Sequence, residues 1–168
     1  MPERVLAVID GNSLLHRARR TLQDNYASDQ TRLALAAKAD RQVQNSLERY
    51  LHAWETADID GIVAMLAENA SFSMPPLPTW FQGRARIRDF ISATILAGDA
   101  RGRWRLLPVS TNGQHGFAFY KRSENGLVYA PFAIQVLHFA GELLADVTTF
   151  GYPHLFSAFG LPVELKRE

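Results

Sequence analysis

Asp146 is the carboxylate whose setting could support acid–base chemistry, because it stands among Leu143, Leu144 and Val147 near the end of the chain. On the wall of an apolar cavity a carboxyl group keeps its proton to higher pH and can act as general acid or base. The plainer alternative is a strand carboxylate at a sheet edge or hydrogen-bonded to backbone. That alternative is preferred, since structural networks perturb carboxylates as well. Tyr50 is the second candidate. It belongs to the series Val43, Leu47, Tyr50, Leu51 and Trp54, whose spacing is one face of a helix, so its phenol points toward whatever that helix covers.

The five histidines offer less. His52 turns away from the Tyr50 stripe, His115 falls in a hairpin turn and His154 follows Pro153. His138 has the opposite strand parity to Gln135 and belongs on the other face of the sheet. No two of them pair with a carboxylate at metal-ligand spacing, so neither a metal site nor a cofactor is expected. The absence of cysteine excludes disulfides, thiol catalysis and sulfur-ligated zinc. Trp54, Trp80, Phe81, Trp104, Phe117 and Phe119 could line a pocket for a flat apolar ligand, although core packing is preferred for Trp54 and Phe117. Trp80 differs because it follows Pro75, Pro76 and Pro78 in a loop. An aromatic side chain held there either closes the mouth of a cavity or docks on a partner.

These residues need a scaffold, and the pattern supplies one. The chain has 168 residues, 47% of them hydrophobic, with 18 basic and 17 acidic side chains for a net charge of +1. That is one domain with a short appendage, and too little positive charge for a nucleic-acid binder driven by electrostatics. No apolar run approaches a membrane span and no signal-peptide core stands at the N-terminus, so a cytoplasmic protein without membrane contact is expected. Residues 1–40 form a mixed segment ending in a linker, 41–162 a continuous α+β pattern and 163–168 a tail. Within the pattern, helices are predicted near 41–57, 59–67 and 84–95. A short strand over Ala70–Met74 is stopped by Pro75-Pro76. Strands then run over Trp104–Thr111, Gly116–Arg122, Val128–Phe139 and Glu142–Phe150, with turns at Asn112-Gly113, Asn125-Gly126 and Ala140-Gly141. A curved, mostly antiparallel sheet wrapped by three helices would form a cone with a cavity at its open end.

The stretch from Arg49 to Phe72, through Tyr50, His52, Trp54, Asp58 and Gly61, resembles the opening of a SnoaL-like, NTF2-like domain, an opening shared with ketosteroid isomerase. The run Phe72-Ser-Met-Pro-Pro-Leu-Pro-Thr-Trp-Phe-Gln-Gly-Arg is similar to the SnoaL-like extension found at the C-terminus of some extracytoplasmic-function RNA polymerase sigma factors. Gly102-Arg-Trp-Arg-Leu-Leu-Pro and Phe156–Pro162 are similar to it as well. The resemblance implies the cone fold over 41–162. It also permits a test against the isomerase constellation of an aspartate base, a tyrosine and a protonated aspartic acid. Tyr50 matches the tyrosine. Met74 stands where the base should be, and a thioether cannot abstract a proton. Gln135 replaces the second acid and has no titratable proton. Isomerase chemistry is therefore not expected. The ligand pocket implied is Tyr50, Met74, Trp80, Trp104, Phe119, Gln135 and Asp146, walled also by Leu66, Phe72 and Phe90.

At the other end, Asn12-Ser-Leu-Leu-His-Arg-Ala-Arg-Arg-Thr-Leu is similar to the last helix of sigma region 4, and a helix is predicted over 13–22. There Arg17, Arg19 and Arg20 could meet DNA phosphates, but an incomplete helix-turn-helix implies weak DNA contact at most. Val8–Ala18 also looks like the start of a 5′-nuclease domain. Asp10 lacks the carboxylate cluster such chemistry needs, and that reading is set aside.

Three functions follow from different classes. The first is an accessory domain of a sigma-factor-like regulator, binding a small apolar ligand, a sigma-factor core or RNA polymerase. The second is a small enzyme of cyclase, isomerase or epoxide-hydrolase type using Asp146 and Tyr50. The third is a homodimeric scaffold. Met74 favours the first over the second.

Overall fold

The computed structural model describes residues 40–111 and 113–166. The expected helix over 13–22, with Arg17, Arg19 and Arg20, lies outside the described residues, as does Asn112 of the first expected turn. The chain divides into two compact units, Met1–Arg41 and Gln42–Glu168, and the sheet lies in the second.

Helix α1 covers 40–56 and buries Tyr50 and Trp54 of the expected stripe, with Leu47 and Leu51 half-buried against the core and Val43 half-buried. It also buries Ser46 and Ala53, which the stripe did not include. It ends at Ala57, whose φ of 59° reverses the chain. The N–H of Ala57 then bonds to the Trp54 carbonyl at 3.2 Å and that of Asp58 to the Ala53 carbonyl at 2.8 Å, a pairing that satisfies the last carbonyls of the helix. Asp58 next caps helix α2 (Ile59–Ala64) by accepting the Gly61 N–H at 2.9 Å. The predicted second helix runs three residues too far. Leu66 already belongs to strand β1 (Leu66–Ser73), which begins earlier than the expected Ala70. After the proline loop, strand β2 (Trp80–Gln82) pairs antiparallel with β1, and helix α3 (Arg84–Ala93) buries Ile87 and Ile91. The Arg103 guanidinium donates to the carbonyls of Ile95, Ala97 and Asp99, fixing the loop that follows α3.

Strands β3 (Trp104–Thr111), β4 (Gln114–Arg122), β5 (Val128–Ala140) and β6 (Leu143–Phe150) form the expected meander. The order across the sheet is β2-β1-β6-β5-β4-β3, with β1 and β6 parallel and the other neighbours antiparallel. This is an α+β fold with a curved, largely antiparallel sheet wrapped by helices, an NTF2-like cone.

The C-terminal end departs from expectation. Helix α4 (Leu155–Ala158) follows the meander where no helix was expected, and strand β7 (Leu165–Lys166), which pairs with β5, stands where the sequence predicted a tail from 163. Phe156 meets Tyr120 edge-on at 5.0 Å, and the Tyr120 hydroxyl donates to the Pro162 carbonyl at 2.9 Å. Strand β4 is consequently covered on both faces. Phe117 and Phe119 belong to the inner core, and Ala118 and Tyr120 to a second cluster with Phe156.

Candidate functional site

The inner face of the sheet, toward α1 and α3, is an aromatic core with a polar centre. Tyr50 stacks on Phe117 at 5.8 Å, Trp54 meets Phe119 edge-on at 5.1 Å, and Trp104 meets the same ring at 6.1 Å. Within this apolar shell the Tyr50 hydroxyl donates to Gln135 Oε1 at 2.7 Å. Gln135 is 2% exposed, and its partner across the ladder, Thr149, is 3% exposed. The Nε1 atoms of Trp54 and Trp104 and the Oγ1 of Thr149 are buried with no hydrogen-bond partner. Native interiors rarely leave such groups unpaired. Burial pushes the Tyr50 phenol far above its ordinary value. The phenol therefore works as a hydrogen-bond donor and not as a base.

Tyr50, Trp104, Phe119 and Gln135 thus lie in one core, together with Leu66 and Phe72. Met74 is half-buried and packs at the margin of that core, as does Phe90, whose ring lies 5.7 Å from Phe72. Trp80 is 58% exposed at the start of the edge strand, next to the 58% exposed Leu77, and stands outside this core.

Asp146 does not join them. On β6 the inward residues are Leu144, Val147 and Thr149, and the ladder to β5 jumps from Phe139↔Leu144 to His138↔Asp146. Ala145 is the extra residue of a bulge, and its insertion turns Asp146 onto the outer face of the sheet. Strict alternation from Leu144 would have pointed Asp146 inward, and the bulge is why that expectation fails. On the outer face the Asp146 carboxylate accepts hydrogen bonds from Ser71 Oγ and, at 2.9 Å, from Thr148 Oγ1. It borders a separate cavity of about 440 Å³ with His138, Thr148, Gln114 and the apolar Val136 and Phe150. Tyr50 and Asp146 therefore face opposite sides of one sheet and cannot act on one bound molecule.

Thr149 and the two indole N–H groups were missed by sequence reasoning. Thr149 carried a usable signal, because two positions from Val147 it shares that residue's face, but its neighbour Thr148 is equally polar. The indoles carried none, because a tryptophan on an apolar stripe reads as packing whether or not its N–H finds a partner.

Among known proteins, the chain is similar to the "ECF RNA polymerase sigma factor SigG" of Mycobacterium tuberculosis, 38% identical over 154 residues. That match takes in 92% of this chain and 40% of the relative, so the chain spans well under half the relative's length. Solved structures share the fold at low identity. An NTF-2 like protein of unknown function from Burkholderia xenovorans superposes with a TM-score of 0.52 at 14% identity, over 72% of this chain and 94% of that one. Bal32a, from a soil-derived mobile gene cassette, gives 0.51 at 18% identity, over 71% and 96%. Residues 47–147 match the SnoaL-like domain, and with most of the chain inside that match, the protein belongs to the SnoaL-like family.

Proposed function

We propose that this protein is an accessory binding domain of a sigma-factor-like transcription regulator, holding a small uncharged ligand inside its cone. The likeness to a sigma factor supports the setting, and in that setting the protein works in the cytoplasm. No helix of the described residues is long and apolar enough to cross a membrane. The observation that carries the ligand reading is the buried Tyr50–Gln135 pair, set in an apolar core that also holds the unpartnered N–H groups of Trp54 and Trp104. Apolar surroundings with a few polar groups suit a flat neutral molecule bearing a carbonyl or hydroxyl oxygen.

Turnover is not part of the proposal. Met74 offers no base, Gln135 no exchangeable acid, and Tyr50 stays un-ionised. The enzymatic alternative that joined Tyr50 to Asp146 loses its geometry, since the sheet separates the two. Docking on a sigma-factor core or RNA polymerase falls to the exposed Leu77 and Trp80 of the proline loop, and DNA contact, if it involves Arg17, Arg19 and Arg20, is weak.

The test uses 2-acetylnaphthalene, a flat neutral ketone, with quenching of tryptophan fluorescence as the readout. Saturable quenching that weakens in Gln135→Leu is the expected result. The same chain should give no detectable isomerisation of cyclohex-3-enone. Quenching that ignores Gln135→Leu, or measurable isomerisation, would remove the reading.

A further inference from the structure

We propose that the outer face of the sheet carries a second binding site, separate from the cone interior, for a small amphipathic ammonium ion. The cavity there has a volume of about 440 Å³, within the range of small-molecule pockets. One wall is the sheet, through Ile134, Val136 and Phe150. The other is the C-terminal segment, through Leu155 of α4 and Phe159, which is 42% exposed at the rim.

Charge decides the class of guest. Among the described residues, the cavity lining includes one carboxylate, Asp146, and no lysine or arginine. Ser71 and Thr148 each donate a hydroxyl to that carboxylate, one to each oxygen, which fixes its orientation. Among the described residues it forms no ion pair. Each carboxylate oxygen keeps a lone pair for a further donor. An ammonium group is the donor that also neutralises the charge, and such charge-assisted bonds are the strong ones. Phe150 and Phe159 add aromatic faces, which attract cations as well as apolar surface. His138 stands opposite Asp146 in the ladder and is exposed. It is the neighbouring side chain that could compete for the carboxylate as a donor. An anionic guest would meet Asp146 with no compensating cation among the described residues of the lining.

Nothing in this site depends on the cone interior, so it stands or falls apart from the function proposed above. The experiment titrates the whole chain with phenethylammonium, 2-phenylethanol and 3-phenylpropanoate, three probes of similar size and different charge. Amide chemical shifts provide the readout. The ammonium ion should bind about tenfold or more tightly than the other two, with shifts at Asp146, His138 and Thr148 and none at Tyr50 or Trp54 of helix α1. Asp146→Asn should remove that preference. Val136→Phe, which fills the cavity and keeps the carboxylate, should weaken all binding at this face. Three results would overturn the proposal: equal binding of the anion, shifts confined to the cone interior, or concentration-dependent shifts at this face that track dimer formation without any probe.

Discussion

The phenol of Tyr50 and the side-chain carbonyl of Gln135, 85 positions apart in sequence, meet at 2.7 Å in the core. Helix α1 delivers one and the long strand β5 the other, and each is the other's partner in a region closed to water. Removing the hydroxyl alone strands a buried carbonyl. Tyr50→Phe should therefore cost about 1–3 kcal/mol in urea unfolding. Gln135→Leu should fall in the same range. The double variant should cost clearly less than the sum, because the two changes remove one shared bond. Strict additivity would mean that the pair contributes nothing.

Alkaline stability follows from the same phenol. Burial raises the Tyr50 ionisation above the ordinary value of 10.0, so the folded chain keeps a proton that the unfolded chain releases near that pH. The resulting contribution is complete below about pH 10 and is lost as pH climbs from there toward the folded value. One such proton sets a slope of about 1.4 kcal/mol per pH unit. Tyr120, raised in the same direction by burial, adds to the decline. Urea midpoints followed from neutral to strongly alkaline pH should show a shallower fall in Tyr50→Phe than in the parent. Parallel curves would contradict the burial argument.

Gly116 has a packing reason to lack a side chain. A Cβ at that position would lie 2.3 Å from the Gln135 carbonyl oxygen, which is backbone and cannot swing aside. Gly116→Ala must spread β4 from β5, at a cost of about 1–3 kcal/mol or more. It should also disturb the Tyr50–Gln135 bond, so its effect should shrink when measured in the Tyr50→Phe background.

Ala57 holds a positive φ of 59° at the end of α1, a conformation that costs an L-residue about 1–2 kcal/mol. Glycine removes that strain but loses about 0.5–1 kcal/mol through the freedom of its unfolded chain. The net expectation for Ala57→Gly is a gain of about 0.5–1 kcal/mol, visible as a higher melting temperature. A lower one would show that the Ala57 methyl, which packs against the inner core, outweighs the strain.

Trp80 separates stability from partner binding. With more than half of its surface exposed, Trp80→Ala should change folding free energy by no more than about 0.5 kcal/mol. If the proline loop docks on RNA polymerase or a sigma-factor core, the same variant should weaken co-purification with the core enzyme. Unchanged retention by both Trp80→Ala and Leu77→Ala would move the docking surface elsewhere.

Sequence alone determined the helices over the Tyr50 stripe and over Ile87 and Ile91, and the four-strand meander with its glycine turns. Those features rest on periodicity within a dozen residues, which one segment carries by itself. It also located Tyr50 and Gln135 on inward positions, through their match to a familiar constellation. Strand β2 was not legible, because three residues beyond a proline loop have no period to read. Helix α4 was not legible either, since four residues become a helix here only by packing Phe156 on Tyr120. The parallel pairing of β1 with β6 joins segments some 75 positions apart, and no local signal announces it. The face of Asp146 was decided last of all. A period of two predicts sides only while the ladder is regular, and the single residue Ala145, bulged from β6 to keep both Leu144 and Val147 in the core, sends the carboxylate to the opposite side of the sheet.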